Sequence, residues 1–195
     1  MRKVNFFKSL EYEPLPKQSE FHHSDKKFKG YIGGLGSGKT HAGVYEAFYT
    51  AWTNPKSLGF ILAPTYKILK DSTMRAFFNF CPESFIEVYD RSDQRVKLIN
   101  GGEILFRNCE DEKAIDRLRN IEIGWFWIDE ARGVPEYAWK VLVGRLRQKD
   151  APLIGWITTT PKGFNWIYKK FADKPGKDFF YVASSSRFNT YLPKG

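Results

Sequence analysis

The chain has little cysteine, little methionine, little histidine and no long apolar run. Of 195 residues, 2 are Cys, 2 are Met and 3 are His. Cys81 and Cys109 lack metal-ligand spacing and read as free thiols of a reducing compartment, not as a disulfide framework. His22, His23 and His41 form no zinc pattern with them. No apolar stretch approaches the ~18 residues of a membrane-spanning helix. The opening MRKVNFFKSLEYE has basic residues but too little apolar length for a signal peptide. Internal repeats and low-complexity tracts are also missing, which excludes solenoids and biased linkers.

What is present suits one α/β domain with a sizeable core. Hydrophobic residues make up 42% and charged residues 27%, and 17 Phe, 10 Tyr and 6 Trp supply unusual aromatic bulk. Lys plus Arg number 31 against 22 Asp plus Glu, a net +9. That bias favours polyanions. The lysines cluster at Lys26, Lys27 and Lys29, at Lys162, Lys169 and Lys170, and at Lys174 and Lys177. Charge alone leaves a nucleic-acid surface and a solubilising surface equally open.

Residues 33–40 read GGLGSGKT and fill the pattern G-x-x-x-x-G-K-[ST]. The glycines let the backbone turn tightly, so that its N–H groups face a phosphate. Lys39 would reach the β- and γ-phosphates of a nucleotide, and the Thr40 hydroxyl would ligate Mg²⁺. A helix starting near Gly38 adds its positive end. Context agrees: apolar Tyr31-Ile32 precedes the loop, and Ala42, Val44, Ala47, Phe48 and Ala51 make an apolar helix face after it.

Along the chain, residues 1–20 read as an irregular entry segment. Residues 30–52 read strand, loop, helix. Leu58 to Ala63 reads as a buried strand ended by Pro64, and 66–80 as a helix. Residues 95–99 and 103–106 flank Asn100-Gly101-Gly102 as a hairpin, placed outside the parallel core. A short helix is expected at 111–118 and an apolar strand at 124–128. A helix is expected at 135–147 with Pro135 in its first turn, and further elements at 153–158 (strand), 163–172 (helix) and 179–182 (strand). The alternation argues for a parallel sheet covered on both faces. No packed element is expected in the tail SSSRFNTYLPKG, as if the natural chain continued.

The second chemical signal is Trp127-Ile128-Asp129-Glu130. An apolar strand that ends in an acid delivers it beside a bound ligand, because ligands sit at the carboxyl ends of parallel strands. Asp129 would hold Mg²⁺, directly or through water. Glu130 would orient and deprotonate the attacking water. Trp125 and Trp127 read as core. The hydroxyls of Thr158-Thr159-Thr160, ahead of Pro161, end the next strand, where they could sense the γ-phosphate.

Three landmarks in register, GGLGSGKT, WFWIDEA and WITTTP, together resemble the ATPase domain of phage terminase large subunits. The resemblance covers nearly the whole chain. It implies a P-loop NTPase fold of the ASCE/RecA-like kind, a mostly parallel sheet with helices on both faces. It implies ATP and Mg²⁺ as cofactors, with Gly33, Gly34, Leu35, Gly36, Ser37, Gly38, Lys39, Thr40 and Thr160 around the nucleotide. Pro16 to Phe21 is similar to the family's adenine-recognition element, which puts Gln18 at the adenine edge within an entry segment of residues 1–29. Residues 184–195, with Asn189 to Pro193, resemble the exit toward a linker and a nuclease domain, and no nuclease activity is expected from residues 1–195. The family also uses an arginine on the γ-phosphate. Arg119, ten positions before Asp129, matches the version that acts in trans, although Arg119-Asn120 stands where Arg-Gly is commoner. Arg145 and Arg147 are its rivals. The phosphate loop has no arginine of its own.

What the resemblance implies is a motor that moves double-stranded DNA into a procapsid. It would work as a ring, a pentamer, on the portal with the small terminase subunit, virally encoded and acting in the host cytoplasm. Two alternatives stay open: a RecA-like helicase or translocase domain, and a nucleotide-binding module without turnover.

Overall fold

Eight strands form one sheet in the order β3-β4-β5-β2-β6-β7-β1-β8. The computed structural model describes Phe6, Lys8 and residues 10–192. Pro193 and the other terminal positions of the expected linker lie outside the described residues. The strands are β1 (Phe28–Gly33), β2 (Leu58–Ala63), β3 (Ile86–Asp90), β4 (Arg95–Leu98), β5 (Glu103–Asn108), β6 (Trp125–Asp129), β7 (Ile154–Thr159) and β8 (Phe179–Ser184). Strands β5, β2, β6, β7, β1 and β8 are mutually parallel. Strand β7 lies between the strand that leads into the phosphate loop and the strand that carries the acids.

The apolar runs work because both faces are covered. Side chains alternate across a strand. Ile61, Trp125, Trp127 and Trp156 therefore join one buried cluster with helix α2 (Lys39–Thr53) and with helix α3, residues 66–80. Phe60, Leu62, Phe126 and Ile128 join a second cluster on the opposite face. There they meet helix α4 (Glu112–Arg117), helix α5 (Glu136–Arg145) and the π-helical α6 (Tyr168–Asp173). Trp125 and Trp127 are fully buried, as expected.

Several elements differ from the sequence expectation. The hairpin does not stand outside the parallel core. Strand β5 pairs in parallel with β2, from Leu58↔Glu103 to Ala63↔Asn108, because Ile104, Leu105 and Phe106 are apolar on both faces. Its partner β4 and the unexpected β3 extend the sheet antiparallel. The 3.0 Å Arg95–Glu103 and 2.8 Å Lys97–Glu87 ion pairs decorate this margin, a common protection for an edge. The entry segment is not wholly irregular: Pro16–His23 forms helix α1 and buries Gln18, Phe21 and His22. Helix α5 starts one residue after Pro135 and ends at Arg145, where Ile123 and Leu146 form a β-bridge. The tail also packs. Asn189 Nδ2 donates to the Gly36 carbonyl at 2.6 Å, and the Tyr191 hydroxyl donates to the Glu13 carbonyl at 3.0 Å.

Candidate nucleotide site

Strand β1 ends at Gly33, and α2 starts at Lys39 with Gly38 as its left-handed N-cap. Between them the chain must reverse, and Gly36 (φ 71°) and Gly38 (φ 80°) adopt the region that a side chain disfavours. Three loop carbonyls are held by side chains from three separate segments. Asn189 donates to Gly36 O, Tyr31 Oη to Ser37 O at 3.1 Å, and Gln18 Nε2 to Gly38 O at 2.8 Å. In a trans peptide the N–H points opposite its carbonyl. Pinning Ser37 O and Gly38 O therefore turns the Gly38 and Lys39 N–H groups away from those donors, as an anion-binding loop requires. The Ser37 N–H is itself bonded to Gly34 O at 3.2 Å.

The loop forms one wall of a cleft of about 520 Å³. Its other end is aromatic. Tyr12 stacks on Tyr45 with ring centres 3.7 Å apart, and Phe80 meets His41 edge-on at 4.2 Å. Gln18 lines the same cleft. Its amide oxygen accepts the Leu15 N–H at 2.8 Å, so the side chain also caps its own helix. Of the residues named from the sequence, Gly36, Ser37, Gly38, Lys39 and Thr40 border this cleft. Gly33 and Gly34 lead into the loop, and Leu35 at its tip is 83% exposed.

The acids stand at the carboxyl end of β6. Asp129 is wholly buried. The Thr73 hydroxyl donates to its Oδ2 at 2.8 Å and the Thr158 hydroxyl to its Oδ1 at 2.7 Å. Thr158 is oriented in turn by the Trp127 indole N–H at 2.8 Å. Burial pushes the Asp129 carboxyl above the usual carboxylate range, and the two hydroxyls pull it back in part. Thr73 reaches the strand from a π turn, Leu69–Met74, set within helix α3. Such turns recur at functional sites. Glu130 follows in a left-handed conformation (φ 47°, ψ 45°), and its Oε1 lies 3.2 Å from Lys39 Nζ. The fold therefore joins the lysine of the first motif to the glutamate of the second, 91 positions further on by residue number (130 − 39).

The donor set fits Mg²⁺. It offers one aligned carboxylate on Asp129 and the Thr40 hydroxyl in the first turn of α2, both hard oxygen donors. Mg²⁺ is held by one or two carboxylates plus substrate phosphates and water, not by an all-protein cage. Among the described residues no three His, Cys, Asp or Glu side chains gather as a metal cage.

Thr160 is not brought to the acids. It borders a separate groove with Thr159, Pro161 and Lys162, while the Thr158 hydroxyl bonds Asp129 and the Thr159 hydroxyl accepts the Arg132 N–H. The candidate arginines lie elsewhere again. Arg145 donates to the Arg119 carbonyl, and the Ile123 N–H donates to Arg145 O at 2.9 Å. Arg119 pairs with Asp116 at 3.3 Å and sits over the Tyr137 ring at 5.4 Å, and Arg147 pairs with Glu122 at 3.2 Å. Arg145 and Arg147 belong to the start of β6, whereas Asp129 ends it, and the Arg119 side chain reaches the first turn of α5. Four residue steps of about 3.3 Å each separate the two ends of β6 by about 13 Å.

Sequence reasoning passed over Thr73, Arg132 and the aromatic end of the cleft, and it named Asn189 only as part of an exit segment, without its bond to the loop. Asn189 shows what was missing: its bond to the loop spans 153 positions, and no local pattern marks it.

Residues 25–195 match the profile of the phage terminase large subunit family. The terminase large subunit of Thermus virus P23-45 is 29% identical over 187 residues, covering 85% of this chain and 37% of the relative. The PBSX phage terminase large subunit of Bacillus subtilis (strain 168) is 24% identical, covering 84% and 38%. The chain thus spans little more than a third of the length of these relatives. Among solved structures, the large terminase of a thermophilic bacteriophage superimposes with a TM-score of 0.79 at 19% identity, over 93% of this chain and 48% of that one. The Thermus phage P74-26 large terminase ATPase domain gives 0.70 at 24%, over 93% and 84%. With the phosphate loop, the acidic strand tip and the sheet order all in place, the chain belongs to the phage terminase large subunit family.

Proposed function

We propose that this chain is the ATP-hydrolysing motor domain of a DNA-packaging terminase, with Mg²⁺ as its metal. The observation that carries the reading is the 3.2 Å approach of Lys39 to Glu130, beside the buried and aligned Asp129. The thermophilic-phage large terminase has been solved with ADP and with ATP-γ-S, which supports a nucleotide as the ligand here.

The residues divide the work as follows. The loop N–H groups and Lys39 bind the β- and γ-phosphates and hold them in line. Asp129 and Thr40 would hold Mg²⁺, whose charge would offset that of the phosphates. A triphosphate draws the Lys39 ammonium from Glu130, and the freed carboxylate takes a proton from the attacking water. Gln18 and the Tyr12–Tyr45 wall receive the adenine. An arginine from a neighbouring copy stabilises the transition-state charge, because Arg145 and Arg147 lie at the far end of β6 from their own Asp129 and Arg119 is held by Asp116 and Tyr137. The charge excess of +9 suits a double-stranded DNA track. Family membership supports a ring on a portal, served by a small subunit.

The test is phosphate release by the purified chain with Mg²⁺ and ATP. Turnover that vanishes in Lys39→Ala supports the reading, and turnover that survives it refutes the site. Specific activity should rise with protein concentration. A flat, high activity on dilution would rule out the arginine in trans.

A further inference from the structure

One cation beside the acids has no role in that scheme. Arg132 lies two positions after Glu130, in a one-turn 3-10 helix, Ala131–Gly133. The Thr159 hydroxyl accepts its backbone N–H at 2.9 Å. Its Nε lies 3.6 Å from Glu130 Oε2. Among the described residues no donor is hydrogen-bonded to that oxygen, which is buried. The other oxygen, Oε1, faces Lys39. One carboxylate thus sits between two cations, one on each oxygen.

The two cations differ in what a nucleotide does to them. Lys39 belongs to the phosphate loop, and a triphosphate competes for it directly. Arg132 is anchored to the tip of β7 through Thr159 and does not depend on the loop. When Lys39 leaves, Oε1 becomes available to water. Oε2 then keeps a cation within 3.6 Å, and a small rotation about the last bonds of Arg132 converts that approach into a charge-assisted hydrogen bond. The left-handed backbone at Glu130 makes such a hold useful, because a non-glycine residue keeps that conformation only where its surroundings enforce it.

We infer that Arg132 is a positioning residue acting in cis, which fixes the Glu130 carboxylate toward the attacking water once nucleotide has taken Lys39. The inference rests on the ATPase reading and adds to it a residue distinct from the arginine supplied in trans.

The experiment compares the parent chain with Arg132→Gln, Arg132→Lys and Glu130→Gln. Four quantities are read: steady-state ATP turnover, KM, affinity for a non-hydrolysable ATP analogue, and Tm. Arg132→Gln should lower kcat on the order of 10- to 100-fold, part of the 10²–10⁴ that a positioned general base contributes. KM, analogue affinity and Tm should stay at the parent values, and Arg132→Lys should recover much of the loss by restoring the charge. Mixing Arg132→Gln with Glu130→Gln should recover nothing, because a defect in cis cannot be completed by a neighbour. An unchanged kcat in Arg132→Gln would overturn the inference. So would a raised KM at constant kcat, which marks a substrate contact, or recovery on mixing, which marks an arginine acting in trans. A parent chain without turnover, or an active Glu130→Gln, would strike the ATPase reading itself.

Discussion

Gly43→Ala separates two opposite expectations for one methyl group. Gly43 lies within helix α2, where replacing glycine by alanine gains about 1 kcal/mol from propensity. A Cβ built there, however, would stand 2.3 Å from Trp127 Cζ2, 2.4 Å from Cε2 and 2.8 Å from Nε1. The indole is fully buried and cannot swing into solvent. Overpacking of this kind costs about 1–3 kcal/mol. A shifted indole also strains the Trp127–Thr158 hydrogen bond, a buried polar contact whose loss costs about 1–3 kcal/mol. Setting about 2 plus 1 against the gain of 1 leaves a net loss of about 2 kcal/mol. For a domain of this size that lowers Tm by about 4–8 °C. The effect should not stop at stability, because Thr158 is the group that aligns Asp129. ATP turnover measured well below Tm should therefore also fall. Calorimetry and phosphate release decide the matter. A Tm raised by about 2–4 °C, the propensity gain alone, would refute the claim that α2 and the Trp127 ring are packed to contact.

Three further outcomes are expected. Lys29→Met leaves Glu46 in a buried network without the ammonium that pairs with it, and should cost about 3–5 kcal/mol in urea denaturation, whereas a loss below about 1 kcal/mol would show the pair to be dispensable. Burial pushes the Cys81 and Cys109 thiols up to about 12, so both stay protonated at about pH 8 and should resist a thiol-reactive dye until the protein is unfolded; prompt labelling of the folded protein would contradict their placement. Arg119→Ala should leave analogue affinity intact while kcat drops by about 10³–10⁵, and an unchanged kcat would pass the role in trans to Arg145 or Arg147.

The chemistry of this chain was more legible than its geometry. Both motifs have spacings dictated by the ligand, so Lys39, Thr40, Asp129 and Glu130 could be named from one-dimensional pattern. The parallel strands were legible because sheets covered on both faces demand continuous apolar runs such as WFWI. Strand β3 was not, since Ile-Glu-Val-Tyr-Asp is a half-exposed edge whose pairing depends on a distant partner. Helix α1 carries no apolar stripe, because its buried face includes Gln18 and His22, which hydrogen-bond to the loop and to Glu46. Thr73 reaches Asp129 from a π turn in helix α3, which no sequence pattern marks. The hairpin was recognised from Asn100-Gly101-Gly102 but misplaced, since turn chemistry fixes a reversal and says nothing about which strand lies alongside.

The most direct measurement is calorimetric titration of magnesium and ATP into the parent chain and Glu130→Gln, with phosphate release followed in parallel. The account requires both proteins to bind and only the parent to release phosphate at an appreciable rate. No binding by the parent, or equal release by the two, would contradict it.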